Sequence, residues 1–157
     1  MQTEDPLARV ELTFLLGMAF QLLHAEFVGR VNALAATELR PVHGMLFQIL
    51  GQDGATNTEL ATKLGVTKQA TGQIIDFLEE RGYVERLPHP DGGRRKLVVM
   101  TDSARLHLSV AGHVLAELEG QLSADLGATD MAELRRQLAR LIRYFAGNEI
   151  PPLRPLW

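Results

Sequence analysis

The most regular alternation of apolar and polar positions lies mid-chain, in NTELATKLGVTKQATGQIIDFLEERGYVERLPHPDGGRRKLVVMT, residues 57–101. Leu60, Ala61 and Leu64 recur at helical spacing behind Asn57, whose side chain suits an N-cap, and Gly65 follows where a left-handed backbone is tolerated. Thr67 suits the cap of a second helix, predicted over 68–81. There Ala70, Ile74 and Leu78 recur every fourth residue, Ile75 widens the stripe and Gly82 ends the run. Two helices joined by a short turn containing glycine predict a helix-turn-helix. Residues 83–87 then alternate like a half-buried strand, and 97–100 are a short apolar one. Between them lie two prolines, Asp91 and the pair Gly92-Gly93, which is turn chemistry, so 83–100 reads as a hairpin.

The flanks are helical in rhythm. From Pro6 to about residue 34 apolar side chains dominate, with Leu7, Val10, Phe14, Leu15, Met18, Leu22, Phe27 and Val31 accompanied by Leu12, Leu16, Phe20 and Leu23 off any single stripe. A helix apolar around so much of its circumference needs cover on several sides, more than one small domain supplies. Pro41 opens a further helix with Val42, Met45, Leu46, Ile49 and Leu50 inward, followed by a polar connection over 51–56. After the hairpin, Thr101 caps a long helix to about residue 126 with a stripe of Leu106, Val110, Val114, Leu115, Leu118 and Leu122. Thr129 or Asp130 caps the last helix, in which Met131, Leu134, Leu138, Leu141, Ile142 and Phe145 follow heptad spacing. The ending IPPLRPLW is too rich in proline to be helical, and its Trp157 is expected to pack on a partner subunit.

These elements predict a mainly α chain with a small antiparallel β-wing. Residues 37–104 form a winged helix-turn-helix, and 1–36 with 105–157 form an all-helical dimerisation region.

Charge sharpens the picture. The 157 residues carry a net charge of -3, which does not announce a nucleic-acid binder, yet the balance is uneven. Residues 59–105 hold eight Lys or Arg against seven Asp or Glu, so the remainder carries -4. Arg94, Arg95 and Lys96 stand together at the hairpin tip, where a wing would meet a phosphate backbone or a minor groove. On the second helix Thr67, Lys68, Gln69, Thr71 and Gln73 are hydrogen-bonding residues, and the acids Asp76, Glu79 and Glu80 come only later. That gradient suits a helix whose N-terminal part enters the major groove of double-stranded DNA.

The run Glu59-Leu60-Ala61, Leu64-Gly65-Val66, Thr67 to Ala70, Leu78 to Arg86, and Arg94 to Val98 leading to Thr101 resembles the winged core of MarR-type transcriptional regulators. The long leading helix and two closing helices are similar in layout as well. The resemblance implies a homodimeric regulator, expected to be a repressor on a pseudo-palindromic operator and released by a small molecule. It also implies an effector pocket between the dimer helices and the DNA module, with Phe20, His24, His43, Phe47 and His107 as the expected lining. Two positions depart from the family pattern. Gly92 stands where an Asp often precedes the wing arginine, here Arg94, with Asp91 one residue earlier; and Gln73 stands where many members carry arginine, a change toward reading adenine.

Other classes find less support. Ser103, Ser109 and Ser123 lie in no G-x-S-x-G elbow, and there is no P-loop, dinucleotide fingerprint or H-E-x-x-H, so the chain reads as no enzyme and no cofactor is expected. A metal-responsive regulator using His24, His43, His107 or His113 is the alternative, although His107 and His113, six apart, do not share a helix face. A dimeric interaction module without DNA binding is a further one, against which the retained cations argue. The absence of cysteine suits a reducing cytoplasm and excludes a thiol switch. No signal peptide is apparent, and the uncharged run over 12–23 is too short to span a bilayer, so no membrane partner is expected.

Overall fold

A computed structural model describes residues 5–154, so the expectations for Trp157 and its neighbours lie outside the described residues. The chain runs through a short 3-10 turn, Pro6–Arg9, then α1 Leu12–Ala35, α2 Pro41–Leu50, α3 Asn57–Leu64, α4 Lys68–Glu80, β1 Val84–Pro88, β2 Lys96–Met100, α5 Asp102–Leu126 and α6 Ala128–Ala146. It is a winged-helix fold, and among the described residues it is mainly helical with one antiparallel hairpin.

The leading helix is not continuous from Pro6. Asp5 caps the 3-10 turn by accepting from the Leu7 amide, and Val10 and Glu11 are extended, so α1 begins only at Leu12. A second local correction concerns α3. Its N-cap is Thr56 and not Asn57, because Thr56 and Glu59 form a reciprocal capping box. The Thr56 hydroxyl accepts from the Glu59 amide, and the Glu59 carboxylate accepts from the Thr56 amide at 2.7 Å. Asn57 instead reaches across the turn, its amide nitrogen donating to the Lys68 carbonyl at 3.2 Å. The last helix likewise begins earlier than Thr129, directly after Gly127.

One core joins α2, α3, α4, the hairpin and the start of α5. Leu46, Phe47, Leu60, Leu64, Ile75, Leu78, Val84 and Val98 are among its fully buried members. The hairpin pairs Val84 with Met100 through to Pro88 with Lys96. A third, single-residue rung adds Ala55, whose amide and carbonyl both bond to Val98 at 3.0 and 2.9 Å. Gly54 makes that approach possible: at φ +77° a Cβ there would lie 2.5 Å from the Val98 carbonyl oxygen. The sequence pattern had offered 51–56 only as a polar connection.

A smaller cluster of Val31, Val114 and Leu118 holds α1 against α5, with Phe27 beside it. The stripe of α5 that turns inward is Ala104, His107, Val114 and Leu118; Leu106 and Leu115, expected inward, face outward, Leu106 being 67% exposed. No described residue of α6 is buried, and Leu134, Leu138, Ile142 and Phe145 leave its heptad face open. Leu12, Phe14, Met18, Leu22 and Leu34 are exposed on α1 as well. By length and mean hydropathy alone α1 is long enough to cross a membrane, a test that the run over 12–23 fails by itself. Its face toward α5 is that of a packed helix, and Arg30 bonds both Glu26 and Gln121 of α5. The described tail, residues 151–154, returns to its own chain. Pro152, Leu153 and Arg154 border a cleft of about 600 Å³ with Met45, Ile49, Thr62 and Lys63.

Candidate nucleic-acid interface

The helix-turn-helix is set by two caps. Gly65 ends α3 in the left-handed region, φ +71°. Two residues later the Thr67 hydroxyl accepts from the Ala70 amide at 3.1 Å and starts α4. With Asn57 bonded to the Lys68 carbonyl, the first turn of α4 is fixed to the first turn of α3.

Lys68, Gln69 and Gln73 are exposed along α4, and Thr67 is exposed at its start. Thr71 is not with them. It is fully buried, and its hydroxyl donates to the Thr67 carbonyl at 2.9 Å, so it can offer no hydrogen bond to a base. The inward stripe of α4 is Thr71, Ile75 and Leu78, flanked by the half-buried Ala70, Ile74 and Phe77. The helix is therefore rotated slightly from the Ala70-Ile74-Leu78 line, and Thr71 is tolerated inside because a helix carbonyl takes its proton.

Arg94, Arg95 and Lys96 are all exposed at the end of the hairpin. Asp91 pairs with Arg95 at 3.7 Å, while Arg94 makes no ion pair among the described residues. The brace within the wing is thus an Asp91–Arg95 contact four residues apart. His89 adds to it: its amide donates to the Arg95 carbonyl at 3.2 Å, and its Nδ1 accepts from the Asp91 amide. A cleft of about 560 Å³ separates the start of α3 from the root of the wing, with Thr56, Thr58, Arg86, Arg95 and Lys96 on its walls.

Sequence reasoning missed Arg86. Its guanidinium reaches Asp76 at 2.5 Å and also bonds Glu79, both on α4. The Arg86 amide donates to Glu79 as well. Burial works against its charge, but the bonds to Asp76 and Glu79 outweigh that and raise its pKa further. A signal was present. Asp76 and Glu79 are three apart on one helix face, and Arg86 shares a strand face with the buried Val84.

The five residues expected to line an effector pocket divide into two groups. Phe20 and His24 stack on each other on α1, ring centroids 5.1 Å apart. Phe47 and His43 are fully buried; Phe47 meets Tyr83 and His107 at 5.9 and 5.8 Å, and His43 stacks on Phe77. Among the described residues no ring contact joins the groups, and neither cleft described above is lined by any of the five. α2 turns His43 and Phe47 into the interior of the DNA module, where both are fully buried. Of the histidines considered for metal, His43 and His107 lie near each other inside the DNA module, and His24 lies apart on α1. His113 pairs with Glu117 on the surface of α5, and no group of three His, Asp or Glu able to hold a metal occurs among the described residues.

Residues 39–95 match the MarR family. No curated protein matches the sequence. Among solved structures, a transcriptional repressor, CouR, bound to a 23-mer DNA duplex is similar at 25% identity and TM-score 0.68, covering 90% of this chain and 99% of that one. Wild-type MarR from E. coli in its apo form is similar at 26% identity and TM-score 0.67, covering 85% and 98%. A probable transcriptional regulator from Pseudomonas aeruginosa is similar at 27% identity and TM-score 0.63, covering 84% and 97%.

Proposed function

We propose that the chain, which matches the MarR family over residues 39–95, is a DNA-binding transcription regulator and no enzyme: a homodimeric repressor that reads a pseudo-palindromic operator and is released by a small molecule. Residues 37–104 are the DNA-reading module, and 1–36 with 105–157 the dimerisation region.

The observation that carries the reading is a conjunction. One compact module presents the exposed Lys68, Gln69 and Gln73 of α4 together with the exposed Arg94, Arg95 and Lys96 of the hairpin. The remainder of the chain leaves apolar faces uncovered on α1 and α6, including Phe14, Leu138, Ile142 and Phe145. Apolar surface of that extent is covered most simply by a second copy. A two-fold axis then sets two reading helices about one DNA turn, roughly 34 Å, apart. Gln73 and Gln69 address base edges, and the wing cations address phosphates, which supply affinity without sequence information. Thr67 is left to the backbone of DNA, its hydroxyl being engaged in the cap.

A ligand that favours one spacing of the two heads shifts the dimer toward it and changes DNA affinity by that preference alone. Such a regulator acts where DNA is, in the cytoplasm. Footprinting on a duplex selected from a random-sequence pool tests the proposal. Two protected half-sites, centred about 10 base pairs apart, are expected. A single half-site would overturn the dimeric arrangement.

A further inference from the structure

We propose that Arg86 is a positioning residue that fixes the wing against the reading helix. The inference rests on the DNA-binding role above and deepens it. Asp76 and Glu79 lie on α4, beyond the exposed residues that address bases, and Arg86 lies in β1, on the strand leading to the wing tip. Its guanidinium spans both carboxylates, and its main-chain amide adds a bond to Glu79 at 3.2 Å. Among the described residues these are the only polar side-chain links between α4 and β1. The hairpin's other ties lie elsewhere. Ala55 holds β2 through Val98, and Thr101 holds the base of the hairpin through its hydroxyl bond to the Gly82 carbonyl. Val84 packs β1 on Ile75 and Leu78 of α4 through the core, and among the described residues Arg86 alone adds polar side-chain bonds to the helix that enters the groove.

The chemistry of the residue suits that task. A guanidinium offers several donors in a rigid fork and can hold two carboxylates in a fixed geometry, whereas an ammonium is a compact charge with rotatable donors on a flexible stem. The Arg86 side chain is 29% exposed, so its contacts are less screened than those of a free surface pair. Exposed ion pairs contribute little to stability. The consequence of the brace therefore falls on where the Arg94, Arg95 and Lys96 cations stand relative to α4, and so on DNA discrimination.

This role and simple electrostatics give opposite expectations for one variant. Asp76→Asn/Glu79→Gln removes two negative charges from the DNA-facing module. Charge alone would tighten binding to any duplex. A lost brace weakens binding to the preferred site while leaving random DNA unweakened. The test is fluorescence anisotropy of the full-length wild type, this double variant and Arg86→Lys, on a duplex selected from a random pool and on its scrambled version. Circular dichroism and sedimentation verify fold and assembly. The expected result is about tenfold weaker binding of the selected duplex by both variants, the size of losing one specificity contact, with scrambled duplex bound no more weakly than by wild type. Binding of the selected duplex by the double variant as tightly as wild type, or more tightly, overturns the proposal, and so does wild-type behaviour of Arg86→Lys. If wild type itself fails to distinguish the two duplexes, the DNA-reading role fails first, in an arm independent of either variant.

Discussion

The imidazole of His43 lies flat against the ring of Phe77, centroids 4.8 Å apart and planes within 17°. The Arg81 guanidinium sits 3.7 Å from the centre of the same phenyl ring. His43 Nδ1 accepts from the Arg40 amide at 2.9 Å, which fixes the neutral tautomer and caps α2, while Nε2 is buried without a partner. Burial first, then the charges of Arg40 and Arg81 and the proximity of His107, lower the His43 pKa to about 4. His107 is lowered by burial in the same direction. In the unfolded chain a histidine takes up its proton near 6.5, as a free imidazole does. The unfolded state thus binds more protons between those values. Stability is complete above about pH 6.5 and falls as pH drops toward 4, by up to about 3 kcal/mol for His43 alone. Urea unfolding at pH 7.5, 5.5 and 4.5 measures this. His43→Gln should flatten the dependence.

The capping box gives a sharper local expectation. Thr56→Ala removes the acceptor for the Glu59 amide and should cost about 1 kcal/mol in thermal or urea unfolding. Substituting Asn57 should not reproduce that loss through capping, because its side chain bonds Lys68 of the next helix.

How much of this was legible in the sequence differs from element to element. The reading helix and hairpin were, because 3.6-residue and two-residue periods are strong over 68–80 and 84–100. The rotation of α4 was not. Lines through Ala70-Ile74-Leu78 and through Thr71-Ile75-Leu78 share Leu78, and a buried threonine satisfied by a helix carbonyl looks in sequence like a surface one. The Ala55–Val98 rung is a single residue, too short for any period. On α5, Leu106 and Leu115 read as core because apolar type does not say which body covers them. Of the expected pocket set, Phe47, His43 and His107 lie together in the core of the DNA module and Phe20 with His24 on α1, because such residues suit a close-packed core as well as a cavity wall. The Asp76–Glu79–Arg86 contact joins two elements whose angle no local pattern fixes.

The exposed heptad face of α6 predicts dependence of DNA binding on assembly. If the proposed dimer is built on this face, Ile142→Asp should yield a monomer in sedimentation equilibrium while circular dichroism retains its helical signal. With only one reading head per particle, affinity for the selected duplex should drop by about a hundredfold or more, through loss of effective concentration.

Within the module, wing and helix should separate by their signatures. Arg94→Ala removes a cation free of ion pairs among the described residues, and should weaken all duplexes alike and reduce the salt slope by about one. Gln73→Ala should leave the slope unchanged and narrow the gap between selected and random DNA, by about 1–3 kcal/mol.

The most direct measurement is anisotropy of the wild-type protein on a selected duplex and its scrambled version across a salt series. Log affinity should fall linearly and steeply with log salt on both, with the selected duplex bound at least about a thousandfold more tightly at physiological salt. Equal affinity for the two duplexes, or no binding to either in dilute buffer, would contradict the DNA-reading role.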